Sequence, residues 1–153
     1  MSLDALVAAE IARPLSAPVT AMAQVLADRV AGAAAVLFYG SNLRSNSLDG
    51  VLDFYVLTDR PRVLADRLLP PNVSFAEWGG LRAKVAVMTL ADFRRAMRPR
   101  ALSPHLWARF CQPVALAWSR DDDASAQVRA ALVKAIASAA WWAERLAPPA
   151  AEA

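Results

Sequence analysis

Two stretches of the chain carry residues able to do chemistry at a spacing that lets them meet. The first is Phe38-Tyr39-Gly40-Ser41-Asn42-Leu43-Arg44, an apolar segment that ends in Gly-Ser. The second is Leu48-Asp49-Gly50-Val51-Leu52-Asp53-Phe54-Tyr55-Val56, with an aspartate inside an apolar run. Residues 42–52, eleven in all, separate Ser41 from Asp53. Glycine permits close approach and dihedrals that other residues avoid, so a strand ending in Gly40-Ser41 can turn its backbone N–H groups outward. If a helical turn opens there, those donors and the Ser41 hydroxyl form a cradle for a nucleotide phosphate. The plainer use of Gly40 is a simple turn. Asp53 is costly in an apolar strand unless it meets a cation, a metal ion or several hydrogen-bond donors. Its plainer use is a satisfied carboxylate at a strand end.

Other polar groups are less committed. Lys84 lies in the run Leu81 to Met88, with Arg82 and Ala86 on its own face. A lysine there either extends to an edge or meets an anion. Arg109 and Gln112 come just before Pro113, where an arginine can satisfy helix-terminal carbonyls. His105 reads as a surface residue, and Cys111 as a core thiol with no histidine near it to activate it. Trp141 and Trp142 are adjacent on one helix, so both cannot face inward. The outward one suits an oligomer contact or a membrane interface.

The elements that must position these groups follow from periodicity. Leu3 to Ile11 has helical spacing and is followed by the breakers Pro14 and Pro18. Val19, Met22, Ala23, Leu26 and Val30 recur at helical intervals, which predicts an amphipathic helix over Val19–Val30, ended by Gly32. Ala33–Tyr39 and Val51–Leu57 are short apolar runs expected as buried strands, with a loop or one helical turn between them. Pro61 can start a helix that runs to Leu69, before Pro70 and Pro71. Val73–Trp78, Gly79-Gly80 and Leu81–Met88 form a hairpin pattern with a two-residue turn.

Thr89 and Asp92 resemble a capping box opening a helix through Met97, and Ser103-Pro104 opens another to Phe110. Val114–Trp118 is expected as a last strand and Asp122–Leu146 as a long closing helix. Helices and strands alternate irregularly, with at least one antiparallel hairpin. That predicts an α+β fold, a mixed β-sheet with helices packed on it. One domain over 1–147 and a disordered Pro/Ala-rich tail over 148–153 are expected.

Composition narrows the function classes. Hydrophobic residues make up 57% and charged residues 20%, enough for a core and too apolar for disorder. One cysteine and one histidine exclude a disulfide framework and any multi-cysteine or multi-histidine metal site within this sequence. The longest apolar run, Val30 to Tyr39, is about half of the roughly 18 residues that span a bilayer. Asp4 and Glu10 precede Arg13, the reverse of a signal peptide, so a soluble cytoplasmic protein is expected. The net charge is +3, and Lys84 and Lys134 are the only lysines among 17 basic residues. Arginine's planar fork suits phosphate, a mild lean toward anionic partners. The arginines are dispersed with no aromatic-basic motif, so nucleic acid is not expected as a partner.

An apolar strand, Gly-Ser, about a dozen residues and then acid on the next strand resembles the nucleotidyltransferase superfamily. Within it, FYGSNLRSNSLDGVLDFYVLTD is most similar to the peripheral, mitochondrial-type phosphatidate cytidylyltransferases and their bacterial relatives. LRAKVAVMTLADF resembles their Lys-containing strand and following helix, and LWARFCQPVALAW their Arg-X-X-Gln-Pro segment. The resemblance covers about Ala35 to Arg120.

It implies a nucleotidyltransferase-like sheet and a Mg²⁺-dependent reaction of CTP with phosphatidic acid, giving CDP-diacylglycerol and pyrophosphate. By this resemblance, Asp53 and Lys84 are the catalytic candidates, and Gly40, Ser41 and Arg44 bind the nucleotide. Asp53, with Asp49 from the loop, would hold Mg²⁺. Arg44 and Lys84 would meet the charge on the leaving pyrophosphate. No general base is needed, because a phosphate monoester is already ionised near neutral pH.

The superfamily usually sets two carboxylates two residues apart, whereas Val51 and Tyr55 flank Asp53 here. The narrower family is similar in showing one Asp before an aromatic residue. The implied partners are a nucleoside triphosphate, CTP first, and an anionic lipid or membrane surface, with peripheral attachment to the inner membrane. A homo-oligomer fits the outward tryptophan. The relatives run on past the closing helix, which supports a second expectation, a catalytically degenerate nucleotide-binding or partner module. A third keeps the transfer chemistry with a different acceptor.

Overall fold

β1 (Ala33–Tyr39) and β2 (Val51–Thr58) expose almost nothing, so both of their faces need a covering layer. In the computed structural model, which describes residues 1–148, helices supply both layers. One precedes the strands on each side: α1 (Leu3–Ile11) and α2 (Ala17–Arg29). A single short helix, α3 (Ser41–Ser45), joins β1 to β2. Then come α4 (Leu64–Leu68), the hairpin β3 (Asn72–Trp78) and β4 (Leu81–Thr89), α5 (Leu90–Ala96), α6 (His105–Phe110), β5 (Val114–Ser119) and α7 (Asp122–Leu146).

The five strands lie in the order β3-β4-β2-β1-β5. β1 runs antiparallel to both β2 and β5, β2 runs parallel to β4, and β3 is antiparallel to β4. The sheet is therefore mixed and the fold is α+β.

Alternation along the strands sorts the core in two. Ala35, Leu37, Tyr55, Leu57 and Met88 point to one face, where Val7, Ile11, Phe93, Phe110, Val128 and Leu132 of α1, α5, α6 and α7 cover them. Val36, Phe38, Phe54, Val56 and Val85 point to the other, against Val19, Met22, Ala23 and Leu26 of α2. Three helices, α1, α5 and α7, start at a residue whose side chain caps them. The Thr89 hydroxyl accepts from the Asp92 N–H at 3.0 Å, and Asp121 accepts from the Ala124 N–H at 2.7 Å. The closing helix is then tied to the α5–α6 connection: Ser138 Oγ donates to the Met97 carbonyl at 2.6 Å, and Trp142 Nε1 to that of Pro99 at 2.7 Å.

Three sequence expectations change. Pro18 does not stop the second helix but sits in its first turn, behind Ser16, so the helix begins at Ala17. The helix expected from Pro61 to Leu69 shrinks to Leu64–Leu68. Its leucines 64, 68 and 69 are exposed and give it no face to bury, while the buried Asp66 draws the preceding chain back on itself. Asp66 accepts from the Arg62 backbone N–H and side chain at 2.9 Å and from Asn72 at 3.3 Å. Trp141 and Trp142 are both half-buried rather than split inside and out, with the Arg145 guanidinium 3.5 Å over the Trp141 ring. The expected disordered tail lies, apart from Pro148, outside the described residues. Among those residues, no helix is long and apolar enough to cross a membrane.

Candidate functional site

The end of β1, the start of β2 and the start of β4 meet at one end of the sheet, on the face that α6 borders. In register, Tyr39 lies opposite Asp53, Asp53 beside Lys84, and Lys84 opposite Phe75 of β3. These four residues form one row across four strands. Neighbouring strands are about 4.8 Å apart, so side chains adjacent in the row are within reach of one another. Closer to the middle of the sheet the same face is buried under helices. At this end Asp53 is half-buried, while Lys84 and Phe75 are exposed.

Gly40 leaves β1 with φ +90° and ψ −166°, a region open essentially to glycine alone. A β-carbon placed on it would lie 2.8 Å from Asp53 Oδ2. The missing side chain is what lets the carboxylate lie against the backbone as the chain turns into α3. Ser41 follows directly and is exposed. Asn42 is buried and pins the following loop, donating from Nδ2 to the carbonyls of Ser47 and Asp49, each at 2.9 Å.

Electrostatics at Asp53 combine opposing causes. Burial pushes its carboxyl above the ordinary carboxylate value, and Lys84, then Arg109, pull it back down through space. Among the described residues Asp53 forms no direct ion pair and accepts no side-chain hydrogen bond. One of its oxygens, Oδ2, lies against the Gly40 backbone.

Arg109 reaches in from the last turn of α6. Its Nη1 donates to the Tyr55 hydroxyl at 3.3 Å, and its Cζ sits 5.8 Å from the centre of the Tyr39 ring. Tyr39, Tyr55 and Phe110 pack together, with ring centroids 5.0 to 5.6 Å apart. Burial raises both phenols above their usual titration range, so both stay neutral, and Tyr55 accepts the Arg109 hydrogen bond.

Gly40 and Asp53 thus lie in close contact, and strand register sets Lys84 beside Asp53. Among the described residues, neither Arg44 nor Asp49 shares a hydrogen bond or ion pair with them. Arg44 is exposed in the last turn of α3, and the Asp49 backbone is bound to its own loop through Ser47 and Asn42. Arg109 is the member that residue types alone undervalue. Its place before Pro113 suggests an arginine serving helix-terminal carbonyls, yet it serves the sheet instead. The signal that could have raised it is the Arg-X-X-Gln-Pro segment.

One carboxylate, two cations and a glycine-lined backbone edge have the chemistry to meet a phosphate-bearing anion. They also fit the way Mg²⁺ is bound by nucleotide enzymes, through one or two carboxylates with the substrate's phosphates and water completing the shell. Asp53, with its unpartnered oxygens, is the residue that would hold the ion. Comparison of the chain with protein-family models and with curated proteins gives no match.

Proposed function

We propose that this chain is a Mg²⁺-dependent nucleotidyltransferase domain of the phosphatidate cytidylyltransferase type, joining the CMP moiety of CTP to a lipid phosphate. The observation that carries this reading is the close contact of Asp53 with Gly40, flanked by Lys84 and Arg109. It rests also on the resemblance of the segments containing Gly40-Ser41, Asp53, Lys84 and Arg109. Mg²⁺ would draw together the nucleotide phosphates and the Asp53 carboxylate and spread the charge of the transferring group.

The protein's own groups then have separable tasks. Gly40 keeps the backbone edge low enough for a phosphate to approach the carboxylate. Lys84 and Arg109 face the negative charge that passes to pyrophosphate when the bond between the α- and β-phosphates breaks. An oxygen of the acceptor phosphate supplies the new bond to the α-phosphorus, and no protein base is required. A lipid acceptor would be met at a membrane surface, by peripheral attachment.

One observation favours the second reading, a nucleotide-binding module without transfer. The Asp49 backbone is held inside its own loop, and among the described residues no hydrogen bond or ion pair brings a second carboxylate to Asp53. Pyrophosphate release decides between them. With Mg²⁺, each of the four nucleoside triphosphates and phosphatidic acid vesicles, transfer predicts release that needs both lipid and one preferred nucleotide. Nucleotide binding by calorimetry without any release supports the module. Release with a soluble phosphate monoester but not with lipid changes the acceptor.

A further inference from the structure

Phe75 is an unusual residue for its position. It lies in the middle of the edge strand β3 and is 68% exposed, although the hairpin offers it a sheet face on which to pack. A single exposed apolar side chain needs no explanation by itself. This one, however, ends the row Tyr39–Asp53–Lys84–Phe75, on the uncovered part of the face that holds the charged cluster. It is opposite Lys84 and two strand spacings, roughly 10 Å, from Asp53.

That separation matches the anatomy of a nucleotide. Its phosphates need the carboxylate and cations, a ribose spans the gap, and its base needs a flat apolar surface at the far side. A phenyl ring supplies such a surface at little entropic cost and tolerates any base, because every base has a π-face. Among the described residues no helix covers Phe75, so the ring is open to a ligand arriving from solvent.

We propose that Phe75 is the base-stacking wall of the nucleotide site, with Lys84 between it and Asp53 directed at the phosphates. This inference rests on the functional reading above and extends it to the part of the ligand that the charged cluster does not touch. Phe75 thereby separates nucleotides from plain polyphosphates.

The test compares Mg-CTP with Mg-tripolyphosphate, which has the phosphates and no base, by calorimetry on the full chain. Stacking of one base on an aromatic ring predicts that wild type prefers CTP, and that Phe75→Ala reduces the ratio of the two affinities by about 10- to 100-fold. Phe75→Tyr should restore the ratio, since it keeps the ring. Gel filtration of the same variants follows the competing use of an exposed edge-strand aromatic, pairing with a second copy. A ratio unchanged in Phe75→Ala overturns the proposal, whether or not an oligomer dissolves. If wild type binds tripolyphosphate as well as CTP, the base wall is refuted and the anion site stands. If it binds neither ligand, both this inference and the functional reading beneath it fail.

Discussion

Asp53 Oδ2 occupies the space into which a side chain on Gly40 would project, 2.8 Å from where its β-carbon would be. The glycine is thus required twice, once for its φ of +90° and once for the carboxylate beside it. An aspartate drawn so close to a strand's end is half-desolvated and yet has no direct partner among the described residues. That is an expensive arrangement for a residue whose only task is to hold the fold together.

Gly40→Ala should therefore damage both stability and ligand binding. The backbone strain costs about 1–3 kcal/mol, and the new methyl group forces the carboxylate away from its position. A lowered melting temperature together with weakened Mg-CTP binding is the expected result. A variant with wild-type melting and wild-type affinity would show that the contact is incidental.

Asp53→Asn separates catalysis from structure by the sign of its effect on stability. A carboxyl whose folded value is raised makes the protein most stable below the ordinary value of 3.8, and that stability is lost as pH rises through the folded value. At neutral pH the ionised group weighs against folding, so the asparagine variant should melt at or above the wild-type temperature. Pyrophosphate release should fall by on the order of 10²-fold. A variant that melts early and keeps full activity would assign Asp53 a structural role only.

Arg109→Gln removes a charge from an exposed side chain and should leave melting nearly unchanged. Loss of a charge-assisted contact to phosphate weakens nucleotide binding by roughly 10-fold or more. Tyr55→Phe keeps the arginine and removes only its hydrogen bond to the phenol. A smaller loss in that variant, in the same calorimetric titration, would identify Tyr55 as a positioning residue. Equal and negligible effects from both would remove Arg109 from the site.

Asp66 governs acid stability at the opposite end of β3. Arg62 and Asn72 hold its carboxyl down at about 2, against an ordinary value of 3.8. The stabilisation is present above 3.8 and is lost as pH falls through about 2. Asp66→Asn should cost about 1–3 kcal/mol at neutral pH, through a mispaired buried group. Melting curves of variant and wild type should converge across that acid window; a gap that persists below it would place the effect in packing instead.

Most of the fold was legible because its elements announce themselves locally. The seven-residue apolar run ending in Gly40, the Gly79-Gly80 turn and the capping residue Thr89 each fix a boundary through short-range geometry. Failures occurred where a local signal depended on distant partners. Pro61 permits a helix, but nothing in the sequence reveals that Asp66 is buried against Arg62 and Asn72, or that Leu64 and Leu68 find no surface to cover. Trp141 and Trp142 follow the same rule, since the Pro99 carbonyl that receives Trp142 lies 43 residues away in the chain.

The site divides along the same line. The sequence by itself determined that Gly40 and Asp53 lie at the ends of consecutive strands, because apolar periodicity and an eleven-residue connection leave little else. Only the tertiary structure decided which groups join them. Strand register set Lys84 beside Asp53 and Phe75 beside Lys84, and the packing of α6 turned Arg109 toward Tyr55. Register and helix docking are settled by how two buried faces fit together, and that fit is a property of the assembled core that no single segment encodes.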